Sequence, residues 1–375
     1  MAGIYIHIPF CRKACHYCNF HFSTSIGLKN DFLNALLNEA DLQTNYLGGE
    51  KVSTIYFGGG TPSLLEPGEC DRILNKIRSL HPVAKDAEIT LEANPDDLSA
   101  EKLLAWKEIG INRLSIGVQS FFEEDLTWMN RAHTAKQSID HLTLACTYFD
   151  NITIDLIYGT PILTDTKWKE NIKRAINLKI PHLSCYGLTV EPKTALFKLI
   201  ANKKIPDVDS NDQARQFLLL MEWMEAAGYE HYEISNFAIP GNRSRHNSSY
   251  WQGANYLGLG PSAHSYNKKS RQWNISNNAL YIQSLQKSKL SFEIEHLTST
   301  QQLNEYIMTS LRTIEGIENN YILEQFGSGE LKRIQQSALS FLNQELLRQN
   351  ESSFILTRRG KLFADGIAAG LFAET

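Results

Sequence analysis

Along the first 228 residues, short apolar, β-branched runs alternate with longer stretches of helical period. GIYIHI reads as a strand, and a helix follows over about residues 31–47. VSTIYF reads as a second strand, with a helix starting near Pro67. AEITLE and a helix from Ser99 come next, then RLSIGVQS with helices reaching about Phe149. ITIDLIYG is followed by a helix over residues 167–178. HLSCYGL and a long helix over 212–227 complete the series. Short apolar runs bounded by turn residues fit buried strands, and 3.6-residue periods fit the amphipathic helices that cover them. Six strand-then-helix units in series predict an α/β fold with parallel strands, as a barrel or an open sheet.

After Gly228 the alternation stops. Residues 229–275 are rich in Tyr, Asn, Ser, Gly and His, and read as loops and short strands packed against the barrel. From about Ser299 the pattern changes again. Residues 301–312 and 329–348 read as amphipathic helices. SSFILT, RRG and KLFADGIAAGLF read as strand, turn and helix. The expected organisation is a core over 1–228, an extension over 229–298 and a small helix-rich, winged-helix-like domain over 299–375. Mixed charges on that last part fit a docking or lid module better than a DNA-binding one.

Composition narrows the function classes. The chain has 375 residues, 42% of them hydrophobic, with 37 basic and 41 acidic side chains and a net charge of −4. Such a balance gives no electrostatic footprint for nucleic acid. MAGIYIHIPF has no basic n-region ahead of a long apolar stretch, so no signal peptide is expected. The longest apolar runs, such as FLLL, are too short to span a bilayer. A cytoplasmic location follows as the expectation, and transient membrane association stays open. In that reducing compartment, clustered cysteines serve metals or catalysis rather than disulfides. Half of the six cysteines are clustered, as Cys11, Cys15 and Cys18. Cys70, Cys146 and Cys185 lie scattered in apolar segments and are expected to be small buried hydrophobes.

Chemistry-bearing residues recur at the strand ends. Cys11 follows the first strand, and Gly58, Gly59 and Gly60 end the second. Glu92 ends the third, Gln119 ends the fourth, Asp155 lies in the fifth and Thr189 follows the sixth. The C-terminal strand ends form the active face of such barrels, so one site is expected there. The cysteine spacing is C-x3-C-x2-C. Thiolates suit zinc and iron–sulfur clusters. Zinc needs a fourth ligand, which His16 or His21 could supply. A four-iron cubane held by three cysteines keeps one iron for a small molecule, and this spacing after a first strand favours that arrangement. FGGGTP lets backbone approach a ligand closely, and with no Lys-Ser/Thr following it is not a phosphate-binding loop.

These motifs resemble the radical S-adenosylmethionine (SAM) superfamily over nearly the whole chain. YIHIPFC, FGGGTPS, LEANP, LSIGVQSF, NRAHT and DLIYGTP look like its HemN/HemW subfamily, which holds oxygen-independent coproporphyrinogen III oxidases and haem chaperones. The resemblance implies a partial (β/α)6 barrel with a [4Fe–4S] cluster on Cys11, Cys15 and Cys18. It implies SAM contacts from Tyr5, Gly59, Gly60, Thr61, Glu92, Gln119, Arg131 and Asp155, with Thr189 beside them. The chemistry agrees: a guanidinium such as Arg131 can fork onto the methionine carboxylate.

Two features separate the branches. The oxidase branch resembles C-x3-C-x2-C-x-C, whereas Asn19 and Phe20 follow Cys18 here. RHNSSYW matches the H-N-x-x-Y-W motif of the chaperone branch, which implies haem contacts from His246, Asn247, Tyr250 and Trp251. A neutral imidazole can ligate haem iron, and aromatic rings can lie against a porphyrin. The sequence therefore reads as a haem chaperone that serves acceptor proteins, respiratory ones by resemblance. Coproporphyrinogen oxidation is the alternative, and it would need a low-potential electron donor to cleave SAM. It is not expected, because Phe20 stands where the oxidase pattern has a cysteine. A zinc-stabilised winged-helix regulator is the third reading. His264 is assigned no role.

Overall fold

The parallel strands form in chain order in the computed structural model, which describes residues 1–374. They are β1 (Ala2–Ile8), β2 (Val52–Gly59), β3 (Val83–Ala93), β4 (Arg113–Gln119), β5 (Ile152–Tyr158) and β6 (His182–Gly187), each paired in parallel with the next. Most of their residues are buried, as expected when helices cover one face and a barrel interior fills the other. Helices Lys29–Leu42, Pro67–Leu80, Ala100–Glu108, Ala135–Tyr148, Asp165–Asn177 and Ser210–Ala226 supply the cover. Ser99, Thr134 and Thr164 cap three of them by accepting a backbone N–H at the third helical position.

The sheet does not stop at β1 and β6. Tyr256–Leu259 pairs in parallel with β1, and His264–Tyr266, Ser270–Asn274 and Phe292–His296 continue outward as antiparallel strands. On the other side Asn236–Ala238 pairs with β6, and Glu230–Glu233 pairs with that strand. The result is one twelve-stranded, mostly parallel sheet. Residues expected to pack against the barrel as loops and short strands thus extend its sheet instead. The H-N-x-x-Y-W segment, also expected as loop, is the short helix Arg245–Trp251.

One buried carboxylate ties the extension to the core. Glu39, on the first covering helix, is 1% exposed. It accepts from the Gly260 N–H at 2.8 Å, the Asn274 amide at 2.5 Å and the Tyr281 hydroxyl at 2.5 Å. Burial pushes its carboxyl up to about 7, against the pull of those three donors. Because the folded pKa lies above the unfolded one, the Glu39 contribution is complete below about 4.5 and is lost as pH rises through 7. Glu39→Gln has no such proton to lose. Wild-type stability relative to Glu39→Gln is therefore expected to fall between pH 5 and pH 8, as read by urea unfolding at both values. A pH-independent difference would contradict this.

The C-terminal segment has its own core of Ile307, Ile322, Ile334, Phe354 and Ile367. Helix Ser299–Leu311 leads to a three-stranded antiparallel sheet, in order Ile317–Glu318, Ser353–Leu356, Leu347–Gln349. The helical run Asn319–Asn343 breaks at Gly327, whose φ of +88° and ψ of 171° are not helical. The expected helix over 329–348 therefore has a preceding helical turn system and ends sooner. Helix Ala364–Leu371 closes the unit. Arg312 joins it to the barrel side, pairing with buried Glu233 at 2.9 Å. Among the described residues, no helix is long and apolar enough to cross a membrane.

Candidate functional site

At the C-terminal ends of the parallel strands lies a cavity of about 400 Å³. Cys11, Cys15 and Cys18 line it together with Gly59, Gly60, Thr61, Glu92, Gln119, Arg131, Asp155 and Thr189. The topology brings them together: they lie in or follow the C-terminal halves of all six parallel strands, and those ends point the same way. Tyr5 is not in the wall. Its hydroxyl lies 3.2 Å from His7 Nδ1, and its ring stacks 6.1 Å from that of Tyr56.

The backbone is shaped for close approach. Gly59 has φ +110°, and a Cβ there would meet His7 at 2.7 Å; at Gly60 a Cβ would meet the Phe10 carbonyl at 2.6 Å. Gln119 has φ +67° despite its side chain, at an irregularity in the β4–β5 register. Bulges of this kind re-aim side chains beside active sites. The freed Gly117 carbonyl accepts from Arg131 Nη2 at 2.8 Å.

Arg131 organises the polar side of the cavity. Nη2 also donates to Asn94 Oδ1 at 2.7 Å, and Nη1 donates to Cys15 Sγ at 3.3 Å. Its Nε is buried without a hydrogen-bond partner. A buried guanidinium with an unused Nε suits an incoming carboxylate. Thr61 donates to Cys11 Sγ at 3.4 Å and accepts from Asn94 Nδ2 at 3.3 Å. Donors to two of the three sulfurs fit thiolates held on iron, whose charge such bonds spread.

Two carboxyls face this basic group. Glu92 accepts from the Tyr56 hydroxyl at 2.8 Å and the Gly59 N–H at 3.2 Å. Burial pushes its carboxyl up to about 8, with the Tyr56 bond pulling down and Asp155 adding to the rise. Burial likewise pushes Asp155 up to about 6, with Arg113 drawing it back. Carboxyls poised in this way can accept from ribose hydroxyls or an ammonium group. His16 and His21 do not line the cavity. Their rings bond the Trp128 carbonyl at 3.0 Å and Asn278 Oδ1 at 2.7 Å. Asn94, Tyr17 and Tyr186 line the cavity and had not been singled out from sequence. Asn94 stands two residues after Glu92 in LEANP, where its bridging of Thr61 and Arg131 had no readable signal.

The H-N-x-x-Y-W residues lie apart from this cavity wall. His246 is 1% exposed and sits beneath strands β1 to β3. Its Nδ1 is 2.8 Å from Thr54 Oγ1 and its Nε2 is 2.7 Å from the Tyr250 hydroxyl. Its ring stacks on Tyr56 at 4.9 Å. Tyr56 therefore touches both Glu92 and His246. Trp251 lies instead under the Arg312 guanidinium, 5.1 Å from its centre. Residues expected to share one porphyrin face thus point to different neighbours. Of the scattered cysteines, Cys70 and Cys185 are buried and Cys146 is partly so.

Comparison with known proteins places the chain. The radical SAM superfamily model matches residues 5–189. The heme chaperone HemW of Bacillus subtilis is 35% identical over all of both chains. HemW of Mycobacterium tuberculosis is 32% identical, covering 98% of this chain and 94% of that one. The solved structure of coproporphyrinogen III oxidase (HemN) from Escherichia coli superposes with a TM-score of 0.85 over 99% of this chain and 90% of its own, at 23% identity. That likeness speaks for the fold, while the full-length matches speak for descent. Superfamily membership implies a [4Fe–4S] cluster and SAM. The chain belongs to the radical SAM superfamily and, within it, to the family of the HemW proteins.

Proposed function

We propose that this chain is a cytoplasmic haem chaperone. In this reading Cys11, Cys15 and Cys18 hold a [4Fe–4S] cluster, and the surrounding cavity holds SAM. His246 ligates haem iron, with Asn247, Tyr250 and Trp251 completing the haem segment. Haem then passes to acceptor proteins of the respiratory type. Residues 1–228 form the SAM-binding core, 229–298 carry the haem segment and 299–375 serve docking.

The observation that carries the haem assignment is the RHNSSYW segment in a chain of the HemW family. Burial holds the His246 imidazole well below its usual pKa, in the neutral form a metal-ligating histidine needs. It is 1% exposed with both nitrogens against hydroxyls, so haem ligation would require this segment to move. The full-length HemW relatives support the same reading. Haem titration of the wild type against His246→Ala tests it. The variant is expected to shift the Soret band and weaken binding at least about tenfold, the effect of losing one strong contact. Identical spectra would overturn the assignment.

On the SAM side, Arg131 orients the methionine carboxylate through its unused Nε, and Gly59, Gly60 and Thr61 present backbone to the amine. Glu92, Gln119 and Asp155 position the ribose or the amine, with Thr189 at the cavity edge and Tyr5 supporting from below. A bound cluster supplies the open iron that SAM chelates. Arg131→Ala is expected to weaken SAM binding by about 1.5–3 kcal/mol, the range for a hydrogen bond to a charged group. Calorimetry on reconstituted protein measures this. Unchanged affinity would mean that the carboxylate sits elsewhere.

A further inference from the structure

Asn94 stands between the two groups that donate to cysteine sulfurs in the cavity. Its backbone is fixed on three counts. Pro95 follows it and disfavours the helical region, and Asn94 keeps an extended φ of −93° and ψ of 150°. Its N–H donates to Ser63 Oγ at 3.4 Å, and its carbonyl accepts from the Asp97 N–H at 3.0 Å. Ser63 in turn donates to Asp97 at 2.7 Å, and Asp97 pairs at 2.7 Å with Arg12, the neighbour of Cys11. The Asn94 side chain therefore joins the cavity wall from a fixed base beside the cysteine loop.

The partners of that side chain fix which way its hydrogen bonds run. A guanidinium can only donate. The end of the Asn94 amide that meets Arg131 Nη2, at 2.7 Å, is therefore the oxygen. The other end is the NH2 group, and it faces Thr61 Oγ1 at 3.3 Å. A threonine hydroxyl has one hydrogen, and its oxygen can also accept. With Asn94 donating to that oxygen, the Thr61 hydrogen turns away from Asn94. Cys11 Sγ lies 3.4 Å from Thr61 Oγ1, and a metal-bound thiolate only accepts. The series Arg131, Asn94, Thr61, Cys11 thus has one direction, set at its start by a group that cannot reverse.

We infer that Asn94 is a positioning residue of the cluster site, which holds the Thr61 O–H on Cys11 and thereby raises the reduction potential of the cluster. This inference rests on the cluster placement proposed above. Reduction adds negative charge to a cluster, and a hydrogen bond to a ligand sulfur stabilises that charge. The amide is what gives the series its direction. An aspartate of the same shape still accepts from Arg131, but it has no N–H for Thr61. It draws the Thr61 O–H onto itself and leaves Cys11 without that donor.

The test uses the full chain, reconstituted anaerobically with iron and sulfide. It reads the cluster midpoint potential by EPR-monitored titration with dithionite in the absence of SAM. Asn94→Asp also adds a charge, so it is compared in two backgrounds. With Thr61 present it removes the sulfur bond and adds the charge. With Thr61→Val it adds the charge alone. The Asn94→Asp shift to lower potential is expected to be larger in the Thr61 background, by about three- to tenfold in the one-electron equilibrium, or about 28–59 mV. Thr61→Ser keeps the hydroxyl and is expected to give the Thr61 result. Equal shifts with Thr61 and with Thr61→Val overturn the inference, because the charge then accounts for the whole effect. Should Asn94→Asp fail to load iron, Asn94→Ala runs through the same comparison, since it frees the hydroxyl to rotate, and equal shifts again overturn the inference. Iron uptake separates the two levels. If the wild type takes up none, the cluster reading itself falls. If the wild type loads and the shifts are equal, only the present inference falls.

Discussion

Cys11→Ala, Cys15→Ala and Cys18→Ala are each expected to abolish cluster formation, taking reconstituted protein from about four irons and four sulfides per chain to background. The three thiols line one cavity. A cluster that already lacks a fourth protein ligand has no reserve when a third is removed. No other cysteine can step in, because Cys70, Cys146 and Cys185 lie elsewhere, packed in the hydrophobic core. Their Ala variants are expected to load normally, which separates loss of a ligand from loss of fold. Thr61 and Arg131 donate to Cys11 and Cys15. Thr61→Ala should therefore weaken retention without preventing loading. Iron and sulfide analysis after anaerobic reconstitution decides the matter. Stoichiometric zinc without iron uptake, or full iron in any of the three Ala variants, would overturn the cluster assignment.

How far the sequence reached depended on how local each feature is. The six parallel strands were legible because each is a compact apolar run followed by a stretch of helical period, with caps such as Ser99 and Thr164 marking some of the helix starts. The cavity was legible because parallel strands in series must end on one side. Three things were not. The parallel pairing of Tyr256–Leu259 with β1 joins residues about 250 apart, and no local pattern announces such a partner. HNSSYW has no apolar 3.6-residue period, so its single helical turn system was hidden; it forms because Ser244 caps it and Glu88, from a distant strand, holds its first N–H groups. Asn94 and the positive φ of Gln119 depend on packing around Arg131 rather than on their own residue types. The enclosed state of His246 belongs with these. A motif states which side chains are present, and only the fold states that Thr54 and Tyr56 of β2 meet one of them.

The last expectation concerns chemistry that the fold permits and this cavity should lack. The protein is expected not to convert coproporphyrinogen III to protoporphyrinogen under anaerobic, reducing conditions with SAM. The fold is that of the oxidase from Escherichia coli, so the scaffold gives no reason for inactivity. The reason lies beside the thiols. Phe20 occupies the position of the fourth cysteine in the oxidase pattern, and it is 67% exposed while lining the cavity. A ring there replaces a small, polarizable thiol with bulk and apolar surface. Reactions that depend on near-attack geometry lose about a hundredfold in rate for small misplacements, and exchanging a thiol for a ring in the cavity wall is expected to produce one. The proposed haem role of His246 would make no such demand, because it would rest on one coordinate bond, and His246 lies apart from this cavity wall. Two assays on the same preparation therefore diverge: haem titration proceeds, and turnover read by product fluorescence after oxidation stays at background. Efficient protoporphyrinogen formation would place the chain with the oxidases despite Phe20, and would make the haem segment a feature of an enzyme rather than of a carrier.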